Sequence, residues 1–291
     1  MKFYFCNFVK VFPILSLIML VGACASPRMD NLPRSWNEEG YIFEEEFAPA
    51  ISNGKNINIH VLSARKKGIE ARPAIILTHG SSSKSRKDLV YRFTYYDVIK
   101  YKWLLKHFAE RGYAAFFFAH KGHSRSGGKM APFNCRAKNY ENVAYSVGRD
   151  FDAVHKYVAT KSWADDEHTI IAGQSTGGIG ALSYAALQPN GVVGVLNFAG
   201  TYSCGISNIW NTSVNWKKEI LQEKNAPQLW IYGTQDKLTT LSSLDFIKKY
   251  SSVDLLVVDK HHHGIMRKRT FSEKAEMVKG IDDFLNKLGM M

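Results

Sequence analysis

Thr169-Ile170-Ile171-Ala172-Gly173-Gln174-Ser175-Thr176-Gly177-Gly178-Ile179-Gly180-Ala181-Leu182 is the stretch that decides the fold. It opens with a short β-branched, apolar run, the pattern of a strand buried on both faces. It closes in small and apolar residues, which suit a helix packed closely on a sheet. Between them Gly173-Gln174-Ser175-Thr176-Gly177 matches the G-x-S-x-G pattern. The physics of that pattern is steric. A serine in a sharp strand-to-helix turn needs neighbours with almost no side chain two residues before and two after. The turn lifts the Ser175 hydroxyl clear of the backbone, and the first N–H groups of the following helix point at the same place.

A serine hydroxyl becomes a nucleophile only when a base takes its proton, and the usual base is a histidine oriented by a carboxylate. Downstream, Gln228-Leu229-Trp230-Ile231-Tyr232-Gly233 reads as a buried strand with a glycine exit, and Asp236 follows three residues later. Open α/β sheets bind ligands at the carboxyl ends of their strands, so Asp236 is the candidate orienting acid. Val253–Val258 reads as the last strand, and His261-His262-His263-Gly264 follows it. His263 is the preferred base, since it precedes a glycine and lies furthest along the exit loop; His262 is the second choice. A metal site is not expected in this histidine run, because no supporting ligand pair is evident, and no cofactor is expected. His60, His107, His155 and His168 read as structural residues without partners. An oxyanion hole needs two N–H donors. Thr176, next to the nucleophile, supplies one, and Ser81, in the loop His79-Gly80-Ser81 after the strand Pro73–Thr78, supplies the other.

Working outward, the chain alternates strands and helices. Tyr41–Phe47 and Asn56–Leu62 form an antiparallel starting pair turned at Ser52-Asn53-Gly54. Further strands are expected at Pro73–Thr78, Tyr113–Ala119, Thr169–Ala172, Val192–Phe198, Gln228–Tyr232 and Val253–Val258. Helices are expected at Tyr101–Arg111, Asn142–Thr160, Thr176–Leu187, Ser242–Tyr250 and Ser272–Leu288. This rhythm predicts an α/β fold: one mostly parallel sheet with helices on both faces.

The first residues have a different character. Lys2 and Lys10 precede an apolar run from Val11 to Val21, and Leu20-Val21-Gly22-Ala23-Cys24 follows. The run is short for a membrane span and reads as a secretory signal over 1–23. Its end resembles a bacterial lipobox, which implies cleavage before Cys24, lipidation of that thiol, and a lipid-anchored protein of the bacterial cell envelope. Residues 24–40, carrying prolines, asparagines and acids, read as a tether, and 41–291 as one domain. The formal charge is +12, and losing Lys2 and Lys10 leaves +10. The basic residues are scattered and no basic helix carries interleaved aromatics, so nucleic-acid binding is not expected. Export would permit a disulfide between Cys135 and Cys204.

Taken together, Pro73–Gly80, Arg111–Gly128, Gly173–Gly177, Gly233–Asp236 and His263-Gly264 resemble the α/β-hydrolase superfamily, in its dienelactone-hydrolase-like and prolyl-oligopeptidase-like branch. The resemblance covers about residues 41–288. It implies an eight-stranded sheet, a small cap or none, and a Ser175–His263–Asp236 triad. Dienelactone hydrolases proper carry a cysteine nucleophile where this chain has Ser175, which argues against dienelactone as substrate. The expected activity is hydrolysis of carboxylic esters, short-acyl or carbohydrate-linked, through an acyl-enzyme. The alternatives are a serine peptidase and a non-catalytic surface lipoprotein that binds a ligand. Substrate choice is expected to lie in 120–141 and 199–226. The second segment carries Phe198, Tyr202, Trp210 and Trp216 close to asparagines, side chains that could stack on a sugar or pack a small cap.

Overall fold

The structure is a computed structural model that describes residues 34–68, 70–80, 98–129, 140–204 and 207–291. The expected signal segment, Cys24 and the start of the expected tether lie outside these residues, as do Ser81, Cys135 and the side chain of Cys204, and with them the expected disulfide. Among the described residues no helix is long and apolar enough to cross a membrane.

The described strands are β1 (Arg34–Glu38), β2 (Tyr41–Ser52), β3 (Lys55–Lys66), β4 (Arg72–Thr78), β5 (Ala114–Phe118), β6 (Ala164–Gln174), β7 (Val192–Phe198), a small pair β8 (Ser203–Cys204) and β9 (Ser207–Asn208), β10 (Gln228–Gly233) and β11 (Val253–Val258). Nine of them build one sheet in the order β1-β2-β3-β5-β4-β6-β7-β10-β11. The first three run antiparallel and the six from β5 to β11 run parallel. The sheet therefore has one strand more than the eight expected. The added strand, β1, lies inside the stretch read as tether. Composition was a poor guide there, because Trp36 stacks on Phe43 with ring centroids 5.7 Å apart, and Glu38 and Glu39 pair with Lys102 and Lys106 of the first helix.

The main helices are α1 (Lys102–Glu110), α2 (Glu141–Val158), α3 (Thr176–Ala185), the short α4 (Ile209–Thr212) and α5 (Val214–Ile220), α6 (Lys268–Glu273) and α7 (Ala275–Lys287). In α2 the residues Val143, Val147, Phe151, Val154 and Val158 fall on one face and are all buried. Every residue of α3 is buried, as its small, apolar composition requires. The expected helix over 242–250 is a 3-10 helix, Leu241–Lys249. Its apolar residues Leu241, Leu244 and Ile247 recur every three positions, the period of a 3-10 helix. The expected final helix is split at Lys274, whose φ of −116° and ψ of 73° leave the helical region. Lys274 Nζ there donates to the Asp259 carbonyl at 2.9 Å.

The aromatic residues singled out at 198–216 pack inward. Trp210 and Trp216 are each 1% exposed, and Phe198 and Tyr202 are buried as well. Trp210 Nε1 donates to the Gly200 carbonyl at 3.0 Å and Trp216 Nε1 to Ser183 Oγ at 2.7 Å. Of the two roles open to these aromatics, core packing is the one the structure gives; none presents a face to a sugar.

Two buried polar clusters fasten the loop after β5. Lys121 Nζ sits 2.5 Å from Asp150 Oδ1, and burial pushes the Asp150 carboxyl up against the lowering effect of that lysine. Glu45 Oε1 accepts from His60 Nε2 at 2.6 Å and from Arg125 Nη1 at 2.8 Å. The His60 bond, more than any other influence, holds the Glu45 carboxyl below its ordinary value. His60 Nδ1 lies 2.8 Å from Ser124 Oγ. His60 is therefore fully partnered, and His155 meets Tyr184 Oη at 2.9 Å; local sequence shows no sign of these long-range contacts, whereas the exposed His168 pairs locally with Asp165 at 2.8 Å. Removing one member of a buried ion pair strands the other charge, at a cost of about 3–5 kcal/mol. Lys121→Met is expected to destabilise the fold by that amount in urea unfolding, whereas Lys121→Met with Asp150→Leu recovers most of the loss.

Candidate active site

Ser175 occupies the turn between β6 and α3 with φ 56° and ψ −120°. A left-handed φ at a non-glycine residue costs roughly 1–3 kcal/mol and persists only where its surroundings enforce it. Here they do so on several sides. Ser175 N donates to the Phe198 carbonyl at 3.0 Å, and the Ser175 carbonyl accepts from Thr201 N and Ile179 N, each at 3.2 Å. The flanking glycines are required by close approach. A Cβ on Gly173 would lie 2.3 Å from the Gly177 carbonyl carbon, and one on Gly177 would lie 2.6 Å from the His79 carbonyl oxygen. The loop after β4 also presses on the serine: a Cβ on Gly80 would come within 2.7 Å of the Ser175 Cβ.

The sheet brings the three distant side chains together. His263 Nε2 is 2.9 Å from Ser175 Oγ, and His263 Nδ1 is 2.9 Å from Asp236 Oδ2. The Asp236 side chain is fully buried, and that of His263 is 21% exposed. The other Asp236 oxygen accepts from Leu238 N at 2.8 Å and Thr239 N at 3.2 Å. These bonds fix the carboxylate plane and leave Oδ2 for the imidazole. The remaining histidines of the run point elsewhere. His262 Nδ1 lies 3.1 Å from the Gln235 carbonyl and His261 Nε2 lies 2.8 Å from Thr270 Oγ1. The second-choice base, His262, is thus not the one at Ser175. Thr176 is the buried first residue of α3, at the helix end whose dipole favours negative charge.

One site residue escaped the sequence reading. Gln174, just before the serine, reaches across to the histidine loop. Its Nε2 donates to the His263 carbonyl at 3.3 Å and its Oε1 accepts from Met266 N at 2.9 Å. The position is one of the two variable ones of the G-x-S-x-G pattern, and its partners lie 89 and 92 residues later, so local sequence carried no signal for it.

A second histidine group lies behind the loop at Gly80. His79, His120 and His123 are 1%, 5% and 3% exposed. One ring nitrogen from each lies within 4.8 Å of the others. The pairing of Thr78 with Phe118 in parallel strands β4 and β5 brings the two strand exits side by side. Burial, reinforced by the neighbouring imidazoles, holds His79 and His120 well below the ordinary histidine range, so both are neutral near pH 7.

A mostly parallel sheet with its serine on a strained strand-to-helix turn, and with histidine and acid delivered from later strand exits, defines the α/β-hydrolase fold. The sequence profile of the family described as serine aminopeptidase, S33, matches residues 96–281. This chain belongs to that family within the α/β-hydrolase superfamily, and it is a serine hydrolase of that fold. No curated protein matches the chain. Among solved structures it is similar to a thermophilic esterase from Thermogutta terrifontis with propionate bound, at 15% identity and a TM-score of 0.57, covering 85% of this chain and 95% of that one. It is similar to an acetyl xylan esterase from Paenibacillus, at 15% identity and TM-score 0.58, covering 84% and 86%. It is also similar to a protein of Klebsiella pneumoniae assigned as a dienelactone hydrolase, at 16% identity and TM-score 0.55, covering 86% and 99%. At such identities the likeness is one of fold.

Proposed function

We propose that this chain hydrolyses carboxylic esters through an acyl-enzyme on Ser175. The observation that carries the reading is the unbroken relay of two 2.9 Å contacts from Asp236 through His263 to Ser175. In the first half-reaction His263 Nε2 takes the Ser175 proton as Oγ attacks the carbonyl carbon. The tetrahedral oxyanion is held by the Thr176 N–H and by Ser81 N–H, a residue outside those described. His263 then protonates the departing alkoxide, and the C–O bond to the alcohol breaks. Water, deprotonated by the same imidazole, attacks the acyl-enzyme and releases the acid and Ser175. Asp236 stabilises the imidazolium formed in each half and keeps its Nδ1 protonated.

Short acyl groups, including acetyl groups on carbohydrate, are the favoured substrates. The propionate-bound esterase and the acetyl xylan esterase that share the fold support this choice. Cleavage of an aminoacyl amide is the second reading, favoured by the description of the matched family. A panel of p-nitrophenyl acetate, propionate and octanoate, acetylated xylan and aminoacyl p-nitroanilides separates the two. The expected result is turnover of the short esters well above the anilides; the reverse order would transfer the assignment to a peptidase.

Gln174 acts on this chemistry through His263. Gln174→Ala is expected to lower kcat about tenfold with little change in KM, since it loosens the base and not the substrate; Gln174→Glu should keep only the Met266 bond and fall between. We further propose that Cys24 carries a lipid that holds the enzyme at the cell envelope, on the strength of Leu20-Val21-Gly22-Ala23-Cys24. In a bacterial host, labelling with a palmitate analogue should mark the chain and be lost in Cys24→Ser; equal labelling of both would refute the anchor.

A further inference from the structure

We propose that His79, His120 and His123 form a binding site for a first-row divalent transition metal, of which Zn²⁺ fits best. Three independent features of the cluster point the same way. The first is convergence: the three rings offer nitrogens within 4.8 Å of one another in a place where all three side chains are buried. The second is the hydrogen bonding of the far ring nitrogens. His79 Nε2 accepts from the His120 amide at 3.2 Å, so its Nδ1 carries the proton and donates to the Gly80 carbonyl at 2.7 Å. His123 Nδ1 lies 3.3 Å from the Lys121 carbonyl, which accepts from it and sets the same tautomer. Imidazoles that bind metals are oriented in this manner, one nitrogen donating to a backbone carbonyl while the other presents its lone pair. The third is His120 Nε2, a buried nitrogen without a hydrogen-bond partner among the described residues. Such an atom is costly to leave unsatisfied, and a metal ion satisfies it.

The donor set chooses the ion. Three imidazoles, without thiolate or carboxylate, suit Zn²⁺ and its neighbours in the series and not Mg²⁺ or Ca²⁺. The adjacent cation, Lys121, is compensated by Asp150 at 2.5 Å. Zn–N bonds of about 2.0–2.1 Å in a tetrahedral site bring the nitrogens to roughly 3.3 Å from one another. Binding therefore draws the rings inward, out of the stacked arrangement in which the His79 and His120 centroids lie 4.2 Å apart, and exchanges the long amide bond at His79 for a metal bond. The fourth position goes to water. The consequence is local: the metal ties the loop of His79-Gly80, which presses on Ser175, to the loop that follows β5. It takes no part in the acyl transfer proposed above.

The test uses tag-free protein stripped with a chelator and titrated with Zn²⁺ by calorimetry, with Co²⁺ as a spectroscopic substitute. One ion should bind per chain, and Co²⁺ should give the intense visible absorption of a tetrahedral site. His120→Gln and His123→Asn should each weaken binding by about 100-fold or more, beyond the 10–100-fold typical of losing an outer hydrogen-bond partner. Ser175→Ala, and the double change His261→Ala with His262→Ala, should leave it unaltered. Absence of stoichiometric binding, unchanged affinity in a folded His120→Gln, or loss of binding in the 261/262 variant would each overturn the site. The Co²⁺ spectrum of the unmutated chain decides independently of how the variants fold: an octahedral, weakly absorbing complex would also overturn it. Ester hydrolysis and metal binding fail separately, because Ser175→Ala abolishes the first and spares the second.

Discussion

Ser175→Ala is expected to lower kcat/KM on p-nitrophenyl acetate by about 10⁴- to 10⁶-fold, and His263→Ala by a similar factor. The two act as one unit, so the double variant should be no worse than either single one. The reason lies in the 2.9 Å contact between His263 Nε2 and Ser175 Oγ. Without the hydroxyl no covalent intermediate forms, and without the imidazole the hydroxyl stays protonated. Residual hydrolysis comes from whatever donors stabilise the oxyanion. Melting temperatures should stay within a few degrees of the parent, because alanine keeps the backbone bonds that hold residue 175 at φ 56°. Steady-state kinetics with circular dichroism on the same samples checks both halves. An alanine variant at position 175 that is folded and retains full turnover would refute the assignment of the nucleophile.

Asp236→Asn is the second large effect, about 10³- to 10⁴-fold in kcat. Asparagine preserves the shape of the side chain and, with its oxygen in the Oδ1 position, the bonds from Leu238 and Thr239. Its amide then faces His263 Nδ1 as a donor where the carboxylate is an acceptor. The imidazole must turn to the opposite tautomer, and its Nε2 then presents a proton to Ser175 in place of a lone pair. The positive charge gained during attack also loses its counter-ion. KM should change little, since Asp236 is fully buried and touches no substrate. A drop confined to KM, with kcat preserved, would show that Asp236 serves binding and not the base.

The elements that carry the site could be read from the chain because each has a strong local signature. The bounds of Val192–Phe198 and Val253–Val258 were legible to the residue, since each apolar run stops where a polar exit begins. The candidacy of Ser175 came from the G-x-S-x-G pattern, and that of Asp236 and His263 from the exits of β10 and β11. What lay hidden depends on contacts between segments distant in sequence. Residues 34–38 look like a linker until Trp36 meets Phe43. Trp210 and Trp216 look like binding aromatics until Ser183 and Gly200 take their indole protons. His79, His120 and His123 stand 41 and 44 residues apart from the first along the chain; only the parallel pairing of β4 with β5 makes them neighbours. Gln174 is a one-residue secret of the same kind, its meaning supplied by a loop some ninety residues later.

The central claim is that the Ser175 hydroxyl is a nucleophile activated by its neighbours, and intact-protein mass spectrometry after brief exposure to a fluorophosphonate tests it most directly. The account predicts a single adduct, mapped by peptide sequencing to Ser175, formed rapidly in the parent chain and lost in His263→Ala. A folded parent protein that takes up no label, or that carries it on another residue, would contradict the account.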